Sequence, residues 1–212
     1  NRVFRNRGPG ESFEEITNIV FGTTTDSARV VKVRDLNADG VVDIVVGTTW
    51  QTRTRLLLGL GAGEFVEVTA THTPPGVASV GDIAVGDVDG DGDLDLVLAD
   101  WGPGNPSNNE GAKARLWLNN GHGAFTDATD QLPDVLVKWS WEIELADIDN
   151  DFDLDVLVSC KSCAGSKLFL NDGAGVFSNG SKRLPQFANN YDFEVMDVDG
   201  DGWVDLVTIN DG

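Results

Sequence analysis

Aspartate recurs at alternate positions in four nine-residue stretches of the 212-residue chain. The stretches are DLNADGVVD from Asp35, DVDGDGDLD from Asp87, DIDNDFDLD from Asp147 and DVDGDGWVD from Asp197. Like charges that are held close together repel, so such a run is either a solvated acidic loop or a site for a hard cation. Apolar flanks such as SVGDIAV and LVLAD around the second stretch would order it from both sides, and they favour the cation site.

Calcium is the cation that this spacing fits best. It takes about six to eight oxygen ligands at about 2.3–2.6 Å, and a tight loop can direct alternate side chains and a backbone carbonyl to one point. Magnesium fits less well because it prefers rigid octahedral sites that retain water. An EF-hand is excluded because loop position 12 holds Val46, Leu98 or Thr208 instead of glutamate, and because strands flank the loop.

Four calcium sites are therefore predicted, with side-chain oxygens from loop positions 1, 3, 5 and 9 and the backbone carbonyl from position 7. The predicted ligands are Asp35, Asn37, Asp39, Val41 and Asp43; Asp87, Asp89, Asp91, Asp93 and Asp95; Asp147, Asp149, Asp151, Asp153 and Asp155; and Asp197, Asp199, Asp201, Trp203 and Asp205. Glycine at position 6 (Gly40, Gly92, Gly202) permits a sharp bend. Phe152 replaces it in the third loop, so we expect altered geometry or weaker binding there.

Composition limits the classes of partner. The net charge of −20, from 15 basic and 35 acidic residues, disfavours nucleic acid and anionic membranes, which need a basic face. Hydrophobic residues make up 41% of the chain, enough for a globular core. We see no apolar run near the roughly 18 residues of a membrane-spanning helix and no signal-peptide pattern. The chain begins with Asn1 instead of Met, which indicates a processed or trimmed product.

A second motif alternates with the acidic loops: VFRNRGPGESF from Val3, LLLGLGAGEF from Leu56, LWLNNGHGAF from Leu116 and LFLNDGAGVF from Leu168. Apolar runs before and after each acidic loop, the Leu-rich run and the segment after its glycine turn predict four short strands per repeat of about 50 residues. No stretch has convincing helical periodicity. This pattern predicts an all-β fold, a β-propeller of four-stranded antiparallel blades with calcium-binding loops between the first and second strands.

The two motifs resemble the FG-GAP and VCBS repeats of integrin-alpha-like β-propellers. FEEITNIVFG, FVEVTATHTPPG and FTDATDQLPDV also resemble the propellers of cartilage acidic protein and the bacterial ASPIC/UnbV group. The expected divisions are a half blade at 1–27, whole blades at 28–70, 79–128 and 138–180, and a half blade at 189–212. The half blades either pair to close a four-bladed ring or belong to a longer propeller. The second alternative is favoured, since the resemblance implies about seven blades.

The pair Cys160 and Cys163 in CKSC is compatible with a redox pair, with half of a zinc site or with a loop disulfide. His72 and His122 lie in other repeats and the chain has two cysteines in all, so the disulfide is favoured, and it implies an oxidising compartment. Asn179 in NGS is a glycosylation acceptor where the host glycosylates and an ordinary turn residue otherwise.

Three tryptophans, Trp50, Trp101 and Trp139, are candidate ligand-binding residues. They lie in the connections that a blade places at the end opposite the acidic loops, where exposed aromatics suit protein or sugar recognition. Packing in the channel or between blades is the alternative. We expect Trp101 to be exposed, because it begins the long connection WGPGNPSNNEGAK.

We therefore predict a non-catalytic, calcium-binding module for recognition or adhesion, with a protein or glycan ligand. Its predicted location is extracellular, periplasmic or at the cell surface. The alternatives are an accessory propeller of a larger secreted enzyme and a structural subunit of an extracellular assembly. An enzyme is disfavoured because neither histidine lies in a recognisable nucleophile motif and the carboxylate clusters are assigned to metal.

Overall fold

The computed structural model describes residues 1–23, 26–50, 52–103 and 110–210. The described chain is all-β, as predicted, and is organised as antiparallel sheets. It opens with an N-terminal pair of short strands, β1 (Phe4–Arg5) and β2 (Glu14–Glu15), followed by a one-turn helix, α1 (Thr17–Val20).

Three four-stranded sheets follow, each a simple antiparallel meander. The first sheet contains β3 (Ala28–Arg34), β4 (Asp43–Thr48), β5 (Arg55–Gly61) and β6 (Glu64–Glu67), and a one-turn helix, α2 (Thr69–His72), comes after it. The second sheet contains β7 (Val80–Gly86), β8 (Asp95–Asp100), β10 (Arg115–Asn119) and β11 (Phe125–Asp127). The short strands β9 (Ala112–Lys113) and β12 (Leu136–Val137) pair beside it.

The third sheet contains β13 (Ile143–Ala146), β14 (Asp155–Val158), β15 (Lys167–Leu170) and β16 (Ser178–Asn179). The C-terminal pair contains β17 (Asn190–Met196) and β18 (Asp205–Asn210). Single 3₁₀ turns lie at Thr129–Gln131 and Ser181–Arg183. Among the described residues, the N-terminal and C-terminal pairs remain separate two-stranded sheets, so the pairing that would close a four-bladed ring is not made.

The second strand of each four-stranded sheet is its most deeply buried one. Every residue of β4, β8 and β14 is buried, because their apolar and β-branched side chains are covered on both faces of the sheet. The predicted strand order is confirmed in these three sheets. The one-turn helices α1 and α2 are too short to leave the helical periodicity that a sequence would reveal.

Successive sheets stack face to face and share their cores. Val45 and Leu56 of the first sheet pack with Ile83 of the second, and an equivalent cluster joins the second sheet to the third. The N-terminal pair and α1 pack on the first sheet, and the C-terminal pair packs on the third through Phe193. No single unit could bury its own apolar faces, so the stack stabilises itself unit by unit.

The innermost strands β3, β7, β13 and β17 line a shared cavity of ≈ 240 Å³, the first-strand cavity. It carries charged side chains from several strands. Lys32 Nζ lies 3.0 Å from Asp82 Oδ1, and Glu142, Glu144 and Glu194 also line the space. Burial, together with the negative charges of Asp82 and Asp192, raises the pKa of Glu142 to about 8, and Lys32 opposes this. Glu142 is therefore largely protonated at neutral pH.

Candidate functional site

Each acidic loop joins the first strand of a unit to the second, and in the first three loops the last aspartate is a buried structural anchor. In the second loop, Asp95 is fully buried; its Oδ1 accepts the N–H of Asn119 at 2.8 Å and its Oδ2 accepts the N–H of Val88 at 3.0 Å. Asp43 and Asp155 make the equivalent bonds. This residue therefore fixes the loop against the third strand, a role beyond that of a predicted metal ligand.

The structure brings together the carboxylates at loop positions 1, 3 and 9. In the second, third and fourth loops, the aspartates at these positions each place one carboxylate oxygen within 4.8 Å of the other two. Such a group of three can hold a metal ion. The groups are Asp87, Asp89 and Asp95; Asp147, Asp149 and Asp155; and Asp197, Asp199 and Asp205. The equivalent residues of the first loop are Asp35, Asn37 and Asp43.

The aspartates at position 5 make hydrogen bonds within their own loops. Asp39, Asp91 and Asp201 each accept the N–H of position 7 through Oδ1, at 2.8, 2.9 and 2.9 Å. Asp151 does the same at 3.3 Å. These residues are not members of the groups of three described above. Their role as ligands, and that of the carbonyls of Val41, Asp93, Asp153 and Trp203, stays a prediction.

The third loop keeps the backbone conformation of the others despite Phe152. The φ of Phe152 is +74°, against +93° for Gly92 in the second loop, and the Phe152 side chain is 96% exposed. Buried Oδ1 atoms of Asp149 and Asp153 have no hydrogen-bond partner in the structure. Unpaired buried carboxylate oxygens are costly, and a cation in the loop would satisfy them.

The first three loops are electrostatically unfavourable without a positive charge. Burial, reinforced by Asp89 and Asp91, raises the pKa of Asp95 to about 6 although two backbone N–H groups oppose the shift. Burial also raises the pKa of Asp43 and Asp155. A divalent cation placed among these oxygens would offset both the burial and the repulsion.

Two asparagines at the ends of the third strands connect neighbouring sheets. Asn119 Nδ2 donates to Leu36 O in the acidic loop of the preceding sheet at 2.7 Å, and to Leu94 O at 3.0 Å. Asn171 makes the same pair of bonds one sheet later, to Val88 O and Leu154 O. The sequence analysis assigned this segment to a strand and gave the asparagine no separate role. The recurrence of Asn after Leu-Trp-Leu and Leu-Phe-Leu was the signal that could have revealed the link.

At the end of the sheets opposite the acidic loops, the three candidate tryptophans meet in one cavity of ≈ 430 Å³, the tryptophan cavity. It is lined by Arg29, Trp50, Trp101, Trp139, Trp141, Lys161 and Ser162. Trp50 is 50% exposed, and both Trp50 and Trp139 have left-handed backbones, with φ of +59° and +51°. Bulky residues rarely adopt this conformation, and it concentrates at functional sites.

The prediction that Trp101 is exposed is wrong. Its exposed fraction is 2%, because it continues strand β8, donates its backbone N–H to Ser79 O at 3.0 Å and packs its ring against Trp139. The ring centroids of Trp101 and Trp139 are 5.0 Å apart. Trp101 therefore forms the wall of the cavity. Residues 104–109 of the long connection that follows lie outside the described residues.

Sequence reasoning missed the cations of this cavity. The guanidinium carbon of Arg29 lies 3.8 Å from the ring centroid of Trp141 and 5.3 Å from that of Trp101, and Lys161 Nζ lies 4.5 Å from that of Tyr191. Burial against these rings lowers the pKa of Arg29, and Asp82 opposes the effect. Arg29 lies in β3 and Trp141 lies just before β13, in different sheets, so their sequence positions give no sign that they meet.

The disulfide between Cys160 and Cys163 is present and lies beside the tryptophan cavity. Cys160 is buried, and its Sγ accepts the N–H of Lys138 at 3.2 Å, while the N–H of Lys161 donates to Trp139 O at 3.4 Å. The bridge thus helps to position one wall of the cavity. Asn179 is exposed, and its Oδ1 accepts the N–H of Ser181 at 3.0 Å. Its glycosylation stays a prediction.

Stacked four-stranded sheets with a recurring carboxylate loop define a repeat protein. The model of the FG-GAP-like repeat family matches residues 35–98 and 102–158, more than half of the chain, and the chain belongs to this family. No curated protein sequence matches the chain. No helix in the described ranges has the length and apolar character needed to cross a membrane.

Among solved structures, the chain is similar to an Agrocybe aegerita lectin whose title describes specific recognition of non-reducing terminal N-acetylglucosamine. The two share 22% sequence identity with a TM-score of 0.52. The match covers 98% of this chain and 54% of the lectin chain, so this chain spans about half the length of that relative. At this identity the likeness concerns the fold.

Proposed function

We propose that this chain is a non-catalytic, calcium-stabilised recognition module that binds a carbohydrate in the tryptophan cavity. The observation that carries the proposal is the convergence of four tryptophans on one cavity, at the end of the sheets away from the acidic loops. Aromatic faces bind the apolar faces of sugar rings, and a rigid scaffold holds such residues in place. The left-handed backbones of Trp50 and Trp139 support a functional role.

The three four-stranded sheets and the two terminal pairs are, in this proposal, the blades and half blades of a β-propeller. Face-to-face stacking and the shared first-strand cavity support that arrangement. The divisions remain those expected from the sequence: 1–27, 28–70, 79–128, 138–180 and 189–212.

Calcium is the proposed ion of the acidic loops. All the side chains that the structure groups there offer carboxylate oxygens, the ligands of a hard cation. When bound, the ion would supply positive charge that holds positions 1, 3 and 9 together. The chain itself orders the first three loops through their buried position-9 aspartates. Four sites are proposed, the third being the weakest because of Phe152. The disulfide and the family support an extracellular location.

The test is a glycan array probed with the chain in saturating calcium, followed by calorimetric titration of the glycans that bind. Trp50→Ala should weaken binding by at least about tenfold, as loss of an aromatic anchor does. Phe13→Ala is the control, since it removes an aromatic side chain that is 63% exposed but lies outside the cavity. Absence of binding to any glycan, or unchanged binding by Trp50→Ala, would contradict the proposal.

A further inference from the structure

The tryptophan cavity has the opposite charge to the molecule around it. The chain carries 35 acidic and 15 basic residues, but the described lining of this cavity includes Arg29 and Lys161 and no carboxylate. By contrast, Glu142, Glu144 and Glu194 line the first-strand cavity. Although the protein as a whole is strongly negative, this cavity is locally positive. It would therefore attract a negatively charged ligand.

Arg29 is held in place but remains available for pairing. Its guanidinium stacks on Trp141, and among the described residues it has no carboxylate partner within salt-bridge distance. The nearby Asp82 is paired with Lys32 at 3.0 Å. A guanidinium that stacks through its face keeps the N–H groups of its edge for a bidentate bond to a carboxylate.

A continuous row of ring contacts connects the two cations. Trp141 lies under Arg29, the ring centroids of Trp141 and Tyr191 are 6.1 Å apart, and Lys161 lies over Tyr191. Aromatic cages of this kind often bind cationic ligands. Here Arg29 and Lys161 already occupy the ring faces, and their charges would repel a third cation, which excludes that class of ligand.

We propose that the tryptophan cavity selects acidic saccharides: the sugar ring packs on the exposed Trp50, and the sugar carboxylate pairs with Arg29 and Lys161. This inference rests on the proposed function and adds the substrate class to it. Charge selects among ligands more than it adds affinity, so the cations make the site specific for acidic over neutral sugars of the same shape.

The experiment measures binding of uronic-acid-terminated and sialic-acid-terminated oligosaccharides against the same compounds with the carboxyl group reduced to an alcohol. Calorimetry in saturating calcium should show at least about tenfold tighter binding of the acidic members, the scale of a charge-assisted hydrogen bond. That preference should shrink as salt rises from about 50 mM to about 500 mM.

Arg29→Gln and Lys161→Gln should remove the preference for the acidic compounds over the reduced ones. Lys182→Gln, which removes a cation outside the cavity, should have no effect, and thermal melting in calcium verifies that each variant folds. Equal binding of acidic and reduced saccharides overturns this inference and leaves the proposed function standing. Absence of binding to any saccharide overturns both.

Discussion

The residue scale is clearest at loop position 6, where Phe152 adopts a conformation that suits glycine. Its φ of +74° costs an L-residue about 1 kcal/mol or more, and its 96% exposed side chain gains little from packing. Phe152→Gly should therefore raise the free energy of unfolding by about 1 kcal/mol and strengthen calcium binding at the third loop. Chemical denaturation and calcium titration would measure the two effects.

The reciprocal variant Gly92→Phe is the control for that prediction. It places phenylalanine at a φ of +93° in the second loop and should destabilise by a similar amount. If both variants leave unfolding unchanged, the backbone of position 6 is not strained and the predicted weakness of the third site has no basis.

Glu142 gives the protein a defined dependence on pH. Its pKa is about 8 in the folded chain and near 4.5 in the unfolded chain, so folding favours the protonated form. The stability that this form contributes is complete below about pH 4.5 and is lost as the pH rises through about 8. Glu142→Gln keeps the side chain uncharged and should raise the melting temperature at pH 9 by roughly 3 °C for each kcal/mol recovered, with little change at pH 5.

Glu11→Gln controls for the change in net charge, since it alters an exposed carboxylate far along the chain from Glu142. The measurement is the melting temperature of both variants and of the parent protein between pH 5 and pH 9. A Glu142→Gln protein that melts in parallel with the parent at every pH would show that burial and Asp82 do not hold the proton there.

At the scale of elements, the asparagine links should carry much of the cohesion between sheets. Asn119→Ala removes two donated bonds and leaves the N–H of Asn120 and the buried N–H of Gly123 without their acceptor. We expect a loss of about 2–3 kcal/mol in the free energy of unfolding. Asn120→Ala is the matched control; its side chain is exposed and should cost less than about 1 kcal/mol.

Urea denaturation of the two variants provides the comparison. Equal losses for Asn119→Ala and Asn120→Ala would mean that the sheets are held by apolar packing alone. The same test at Asn171, which makes the equivalent bonds, would show whether each junction contributes independently.

The strands were predictable because their signals are local, whereas the site was predictable only in part. Alternation and apolar runs mark β4, β8 and β14 within a few residues, and the acidic loops repeat at nearly constant spacing. Arg29 comes from the first sheet and Trp141 and Lys161 flank strands of the third, so their contact depends on packing that the linear pattern does not contain. Trp101 illustrates the same limit: its glycine-rich neighbours suggested exposure, but its ring is buried and packs against Trp139.

At the scale of the whole molecule, charge couples folding to metal. Four divalent ions would change the net charge from −20 to −12 and reduce self-repulsion. Excess calcium should raise the melting temperature, by the equivalent of about 2.7 kcal/mol at one hundred times the dissociation constant of a single site, and a chelator should lower it. Scanning calorimetry with calcium or chelator measures this directly.

Salt provides an independent check of the same coupling. In chelator, about 0.5 M sodium chloride should recover part of the lost melting temperature, because it screens the repulsion that calcium otherwise neutralises. Identical melting temperatures in calcium and in chelator would show that metal binding does not stabilise the fold.

The tilted contact between Trp101 and Trp139 has an optical consequence. Two indoles with centroids 5.0 Å apart and planes at 56° form a chiral pair of coupled transition dipoles, which should give a couplet of opposite-signed bands in the ultraviolet circular dichroism spectrum. Trp139→Phe should abolish the couplet while the β-sheet signal persists. A couplet that survives this substitution would have to arise from another pair of chromophores. Because both rings line the tryptophan cavity, a molecule entering it would change the spectrum without any added label.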